Sequence, residues 1–159
     1  MRFTASKRIT AAAGDVWRVL EDFGGFHRVS PLLECSPVIN GVAHGVGAER
    51  ECQFYDGSMI REKIVAIRAG QSMELAITGS SLPIHDGQVL VSVLQEDQEH
   101  ARVTFDATIT LKFGLLGRLL GATIMQPVLR SQFHLVLRGI ATYLATGETV
   151  GRRSTLIAI

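Results

Sequence analysis

Two charged residues, Arg50 and Glu62, interrupt strand-like sequence whose alternate positions are otherwise apolar. Because side chains alternate between the two faces of a strand, the face that carries these charges otherwise holds Cys52, Phe54, Ile60 and Ile64. A buried charge is costly unless it is paired or binds a polar group. Arg50 and Glu62 are therefore either a structural ion pair near the open end of a sheet or the polar end of a ligand site, and the two interpretations are compatible.

The chain lacks the motifs of most other chemistries. Its five histidines lie on separate predicted elements without metal-ligand spacing, and its two cysteines form no CxxC pattern. No nucleophile motif, phosphate-binding loop or dinucleotide fingerprint is present, since the glycines of GVAHGVG suit tight turns instead. We therefore predict no metal and no cofactor.

The placement of both charges depends on the register of the hairpin around Asp56-Gly57. A two-residue turn would pair Phe54 with Met59, whereas a three-residue loop from Asp56 to Ser58 would pair Phe54 with Ile60. A slip of one residue inverts the faces of one strand. The second register unites the apolar residues of both strands, so we predict the three-residue loop, with this face inward.

Other strands also offer an inward apolar face. Strict alternation with polar neighbours predicts that the inward residues include Leu75, Ile77 and Phe105. The strand from Gln88 to Leu94 is apolar on both faces, and for this strand we predict Leu90 and Ser92 inward.

After Phe113 the apolar spacing changes to intervals of three and four, which predicts a long amphipathic C-terminal helix. Pro127 predicts a kink or break near Gln126, and Gly147 is a suitable C-terminal stop. The pattern starts with Leu116, Leu119 and Leu120. The stripe that we expect to form a cavity floor consists of Leu129, Phe133, Val136, Leu137 and Ile140.

The remaining segments complete a regular order of elements. Residues 3–9 predict a strand, and two short helices follow before Pro31. Turn signals divide the segment from Leu32 to Leu111 into six further strands. We predict one domain over residues 1–147, since about this length suffices for a single core, followed by a tail over residues 148–159.

This order, together with five segments, resembles the START/Bet v 1-like (SRPBCC) superfamily over roughly residues 1–146. The segments are GDVWRVLEDFGGFHRVSPLL, GVAHGVGAERECQF, DGSMIREKIVAI, GSSLP and GLLGRLLGATIMQPVLR. Within it the chain is most similar to the polyketide cyclase/dehydrase and lipid-transport group. The resemblance implies an α+β helix-grip fold, in which a seven-stranded curved antiparallel sheet wraps the long C-terminal helix, with a cavity beneath the two short helices. Members bind lipids, sterols, plant hormones, quinones or polyketides, and a minority catalyse reactions on them.

The DGSMIREKIVAI hairpin is similar to that of plant hormone receptors, in which a glutamate and a charged residue on the preceding strand face the ligand. Here Glu62 and Glu34 take those positions. The receptors carry a lysine in place of Glu34 that meets the hormone carboxylate, so this site is not a copy of theirs. In an enzyme, a desolvated Glu62 or Glu34 would act as general acid or base, with Arg50 stabilising an enolate.

Composition and charge exclude several classes of partner. Hydrophobic residues make up 47% of the 159 residues, and the formal net charge is +1, so no global field attracts nucleic acid or anionic membranes. The apolar runs end well short of the ~20 residues that cross a bilayer. The N-terminal MRFTASKRIT lacks the apolar stretch of a signal peptide, which favours a cytoplasmic location.

We therefore predict that the protein binds a hydrophobic small molecule, such as a lipid, quinone or polyketide, in an internal cavity, as a carrier rather than an enzyme. One alternative is a cyclase, aromatase or dehydratase that acts on a polyketide-like substrate in the same cavity. A second alternative is a protein-interaction module with a packed interior and no ligand. Monomer and homodimer both remain open.

Overall fold

The computed structural model describes residues 1–112, 114 and 124–152. The elements follow the predicted order of one strand, two short helices, six strands and a long helix. They are β1 (Arg2–Thr10), α1 (Ala13–Glu21), a 3₁₀ helix (Phe23–Arg28), β2 (Leu33–Cys35), β3 (Glu49–Phe54), β4 (Met59–Arg68), β5 (Ser72–Ser80), β6 (Ile84–Gln95), β7 (His100–Leu111) and α2 (Gln126–Thr146).

All seven strands form one antiparallel sheet in the order β1-β7-β6-β5-β4-β3-β2. Hairpins connect consecutive strands from β3 to β7, and β1 returns to pair with β7. Helix α2 packs against the inner face of this sheet, where the Phe133 ring makes edge contacts with Phe3 and Phe105 at centroid distances of 5.2 and 5.5 Å. This seven-stranded curved sheet with its long C-terminal helix confirms the predicted helix-grip fold.

The β3–β4 hairpin has the predicted faces but a different register. Phe54 N–H donates to the carbonyl of Ser58 at 2.9 Å, so the loop comprises residues 55–57 and the predicted Phe54–Ile60 pairing is wrong by two residues. A shift of two residues preserves the alternation of side chains, so the same set shares the inner face. Its consequence is that Arg50 lies directly opposite Glu62.

Strand β6 has the opposite parity to the one predicted. Leu90 is 41% exposed and Ser92 lies on the same outer face, whereas Val89 and Val91 are buried. The register with β7 explains the difference, because Val91 pairs with the inward-facing Phe105. The sequence of β6 is apolar on both faces, and only its neighbour in the sheet decides which face is inward.

Helix α2 begins at Gln126, the residue near which a kink or break was predicted, and the two residues before it are also helical. Pro127 lies in its first turn, where the missing N–H costs no intrahelical hydrogen bond. Gly147 ends the helix with φ of 73°, and its N–H donates to the Tyr143 carbonyl. The predicted helical residues Leu116, Leu119 and Leu120 lie outside the described residues.

The beginning of the predicted tail packs on the domain. Val150 is buried, and its N–H donates to the Arg28 carbonyl at 2.8 Å. Arg152 lies over the Tyr55 ring, 5.4 Å from its centroid. Residues 153–159 lie outside the described residues.

Candidate functional site

A cavity of about 120 Å³ lies between the sheet, α2 and the two short helices. Its wall combines inward strand residues with one stripe of α2, as expected where a curved sheet and a helix cannot close completely over each other. Eleven of the predicted site residues line it: Arg50, Cys52, Phe54, Ile60, Glu62, Leu75, Ile77, Phe105, Leu129, Phe133 and Val136. That they contact a ligand remains a prediction.

Six predicted residues do not line the cavity. Ile64, Leu137 and Ile140 are buried in the hydrophobic core, where they support the wall from behind. The three others face outward and were placed wrongly: Glu34, Leu90 and Ser92.

The error at Glu34 has a local cause. Strand β2 has only three residues, and its pairing with β3 shifts between Leu33 and Cys35. Leu33 therefore takes the buried position on the cavity wall, and Glu34 is exposed. A resemblance of hairpins does not determine parity in so short and irregular a strand.

Thirteen wall residues were not predicted, and two signals could have identified most of them. The first group comes from the short helices and the segment that follows them: Leu20, Phe23, Phe26, Ser30, Leu32 and Leu33. The second comes from the sheet and α2: Met73, Leu82, Ile84, Val89, Val91, Ile109 and Gln132. The expected position of the cavity beneath the short helices and the alternation of β5 and β7 indicate many of these residues.

The polar end of the cavity is a buried ion pair between Arg50 and Glu62. The two residues are 3% and 8% exposed. Arg50 Nε and Nη2 donate to Glu62 Oε2 at 2.9 and 2.7 Å, and the Cys52 thiol lies 3.5 Å from the same oxygen. Direct pairing across β3 and β4 places both side chains at one level of the inner face, so the two charges meet without distortion of the backbone.

The 3₁₀ helix completes the environment of Arg50. Arg50 Nη1 donates to the Phe23 carbonyl at 3.1 Å. Its guanidinium carbon lies 4.2 Å from the ring centroid of Phe23 and 4.3 Å from that of Phe26. Residues three apart share one side of a 3₁₀ helix, which explains how both rings reach the same cation. Such cation–π contacts stabilise a desolvated guanidinium.

Burial and neighbouring charges shift the pKa values of Arg50 and Cys52. Burial alone would lower the pKa of Arg50, but the negative charges that Cys52 and Glu62 can carry raise it above its usual value. Burial also raises the pKa of the Cys52 thiol far above its usual value. At neutral pH Cys52 is therefore a thiol, and the charge that balances Arg50 is Glu62.

A family model described as polyketide cyclase/dehydrase and lipid transport matches residues 1–145. The chain belongs to this family. The match spans both the sheet and most of α2, so it includes every described wall of the cavity. A comparison with curated protein sequences finds no significant match.

Solved structures show how widely the fold of this family member is shared. XoxI from Bacillus cereus superposes with a TM-score of 0.74 at 15% identity, over 91% of this chain and 96% of that one. Ara h 8.0201, a Bet v 1-like protein, gives 0.70 at 14%, over 92% and 98%. Norcoclaurine synthase from Thalictrum flavum gives 0.68 at 14%, over 94% and 95%. At these identities the likeness shows the fold alone.

Within residues 1–112, 114 and 124–152, no group of three or more His, Cys, Asp or Glu side chains could hold a metal ion. In the same part of the chain, no helix has the length and apolarity needed to span a membrane.

Proposed function

We propose that this family member binds a hydrophobic small molecule, such as a lipid, quinone or polyketide, inside the cavity and acts as a carrier or sequestering protein. The observation that supports this proposal is a partly open cavity of about 120 Å³ with a mostly apolar wall and one buried ion pair at its edge. An engineered apolar cavity of about 150 Å³ is large enough to bind benzene. A space of this scale holds an aromatic ring or a short aliphatic chain, and because the cavity is partly open, a larger ligand can extend beyond it.

The cavity is costly if it stays empty. An empty apolar space leaves the side chains that line it without partner atoms, which lowers stability. A ligand that fills the space offsets this cost, which favours binding over the alternative of a protein-interaction module with a packed interior.

The described residues favour binding over catalysis. Around the cavity the ionisable side chains are Arg50, Glu62 and Cys52, and the first two already form an ion pair. Cys52 is a neutral thiol, and its polar contacts are the Glu62 carboxylate and the Arg50 guanidinium, which already pair with each other. An activated nucleophile or a free acid–base pair is therefore missing from this part of the structure.

The structure of norcoclaurine synthase in complex with dopamine and hydroxybenzaldehyde supports the choice of aromatic probes. Both of its ligands are small aromatic compounds that carry hydroxyl groups. We propose that compounds of similar size enter the cavity of this chain.

We also propose that the protein is cytoplasmic. We further propose that it has no nucleic-acid partner, because its net charge of +1 provides no attraction for polyanions. Cell fractionation and a gel-shift assay with duplex DNA and RNA would test the two statements. Recovery in the membrane fraction, or a salt-sensitive gel shift, would contradict them.

Thermal shift and native mass spectrometry with a panel of lipids, quinones and aromatic polyketides test ligand binding directly. A ligand at 100 times its Kd contributes about 2.7 kcal/mol, which should raise Tm by about 5 °C or more. Val91→Phe fills the cavity, whereas Leu90→Phe on the outer face of the same strand is the matched control. We expect binding to be lost only in Val91→Phe. Absence of stabilisation by any apolar compound, or equal binding by both variants, would overturn the proposal.

A further inference from the structure

The polar groups of the cavity are not equally available to a ligand. All three nitrogens of Arg50 already donate within the protein, two of them to Glu62 and the third to the Phe23 carbonyl. Aromatic rings lie against its guanidinium group as well. Three of the five N–H groups of Arg50 are therefore engaged, and Glu62, the Phe23 carbonyl and two rings hold the guanidinium, so Arg50 is committed mainly to contacts within the protein.

Glu62 is the opposite case. The donors that reach it converge on Oε2, namely Arg50 Nε, Arg50 Nη2 and the Cys52 thiol. Among the described residues, none donates to Oε1. A carboxylate can accept about four hydrogen bonds over its two oxygens, so this group retains acceptor capacity on the wall of the cavity.

The charge balance further restricts the ligand. Arg50 and Glu62 neutralise each other, so a cationic or anionic ligand would enter a site without a counter-charge and lose its hydration. Ser30 and Gln132 also line the cavity, but their side chains both donate and accept, so they do not select either type of ligand.

From this hydrogen-bond inventory we infer that the ligand is a neutral apolar alcohol or phenol whose hydroxyl donates to Oε1 of Glu62, and that the site rejects carboxylates. The inference rests on the proposed function. It specifies the chemical class of the ligand and the atom that recognises it.

A series of compounds that share one bicyclic aromatic body tests the inference by isothermal titration calorimetry at neutral pH. We expect 2-naphthol to bind on the order of tenfold more tightly than 2-methylnaphthalene, because a hydrogen bond to a buried charged group is a strong one. The ether 2-methoxynaphthalene keeps the oxygen but lacks the donor, so it should bind like 2-methylnaphthalene. We expect no detectable heat from 2-naphthoate.

Glu62→Gln provides the second arm of the test. Its amide oxygen can still accept from Arg50, while its NH₂ group would take the place of Oε1 and offer a donor to the cavity. We expect this variant to lose the preference for 2-naphthol and to gain binding of 2-naphthoate. The control is Glu51→Gln, which lies next to Cys52 in β3 but on the outer face of the sheet. This variant should keep the wild-type order of affinities for the series.

The outcomes separate the two proposals. Equal binding of 2-naphthol and its ether, or tightest binding of 2-naphthoate by the wild type, would refute the inference and leave cavity binding intact. These comparisons use the wild-type protein, so they decide the question even if Glu62→Gln does not fold. Failure of the whole series, and of the wider panel of apolar compounds, would refute both the inference and the proposed function.

Discussion

Arg50→Met leaves the Glu62 carboxylate buried without its partner, and it is the most informative single perturbation of this structure. Removal of one member of a buried ion pair costs about 3–5 kcal/mol. A methionine sulfur beside Phe23 and Phe26 should recover about 1 kcal/mol through sulfur–aromatic contact. The expected loss in the free energy of unfolding is therefore about 2–4 kcal/mol, or roughly 10 °C in Tm for a domain of this size.

The double variant distinguishes a lost pair from a general disturbance. Glu62→Leu alone strands the guanidinium, and we expect a loss of about 3 kcal/mol. Replacement of a whole buried pair by apolar residues of similar volume is often neutral or stabilising. We therefore expect the free energy of unfolding of the double variant Arg50→Met, Glu62→Leu to lie within about 1 kcal/mol of the wild-type value. The double-mutant cycle should then show strong coupling between the two residues.

The neighbouring pair Arg61–Glu51 is a matched control, because it joins the same two strands one rung away on the opposite face. Its Nε–Oε2 distance of 2.9 Å resembles that of the buried pair, but Arg61 is 47% exposed. We expect Arg61→Met to change stability far less than Arg50→Met, since solvent screens an exposed pair.

Urea denaturation followed by circular dichroism measures all five proteins. Additive losses in the double variant, or equal losses in Arg50→Met and Arg61→Met, would refute the reasoning.

Three further predictions concern the framework of the site. Gly139→Ala in α2 should destabilise the protein in the same urea assay, because the added Cβ would collide with the Val29 carbonyl. This loss is expected although alanine favours helix over glycine by up to about 1 kcal/mol. Gly14→Ala in α1 has no atom near the added Cβ, so it should be neutral or slightly stabilising. Val91→Ala should cost about 1–3 kcal/mol and Leu90→Ala under about 1 kcal/mol, and the reverse order would contradict the observed parity of β6. Burial raises the pKa of Cys52, so iodoacetamide should alkylate it slowly in the native protein at pH 7–9, and mass mapping that shows rapid modification would contradict a buried thiol.

The sequence suffices to predict which face of β3 and β4 lines the cavity. In β3 the inward residues alternate with polar ones, and in β4 Ile60, Glu62 and Ile64 lie two residues apart, so any register with the correct parity places Cys52, Phe54 and Ile60 together with both charges. The predicted loop was displaced by one residue and the strand pairing by two, yet the face survived, because an even shift in pairing preserves alternation. The direct opposition of Arg50 and Glu62 could not be predicted, since it depends on the turn through residues 55–57.

The errors occur where local sequence leaves the face undetermined. In β6 the valines and leucines alternate with each other, so both faces are apolar and the pairing with β7 decides that Val91 is inward. In β2 three residues and an irregular register leave no pattern to extend, and Glu34 falls on the exposed side. Neither position could be settled without its neighbour in the sheet.

The ion pair and the cavity together indicate a binding role more strongly than either feature alone. A buried ion pair is weak evidence for a stabilising role, because apolar replacements of similar volume often serve as well. An unfilled apolar cavity is also a cost. In this chain the ion pair lies on the wall of the cavity, so both costs occur at one place. There Phe23 and Phe26 hold Arg50, and one oxygen of Glu62 keeps unused acceptor capacity. Stability alone gives no reason to combine them, whereas a ligand with an apolar body and one hydroxyl group would offset the cost of the cavity and use the acceptor capacity of Glu62.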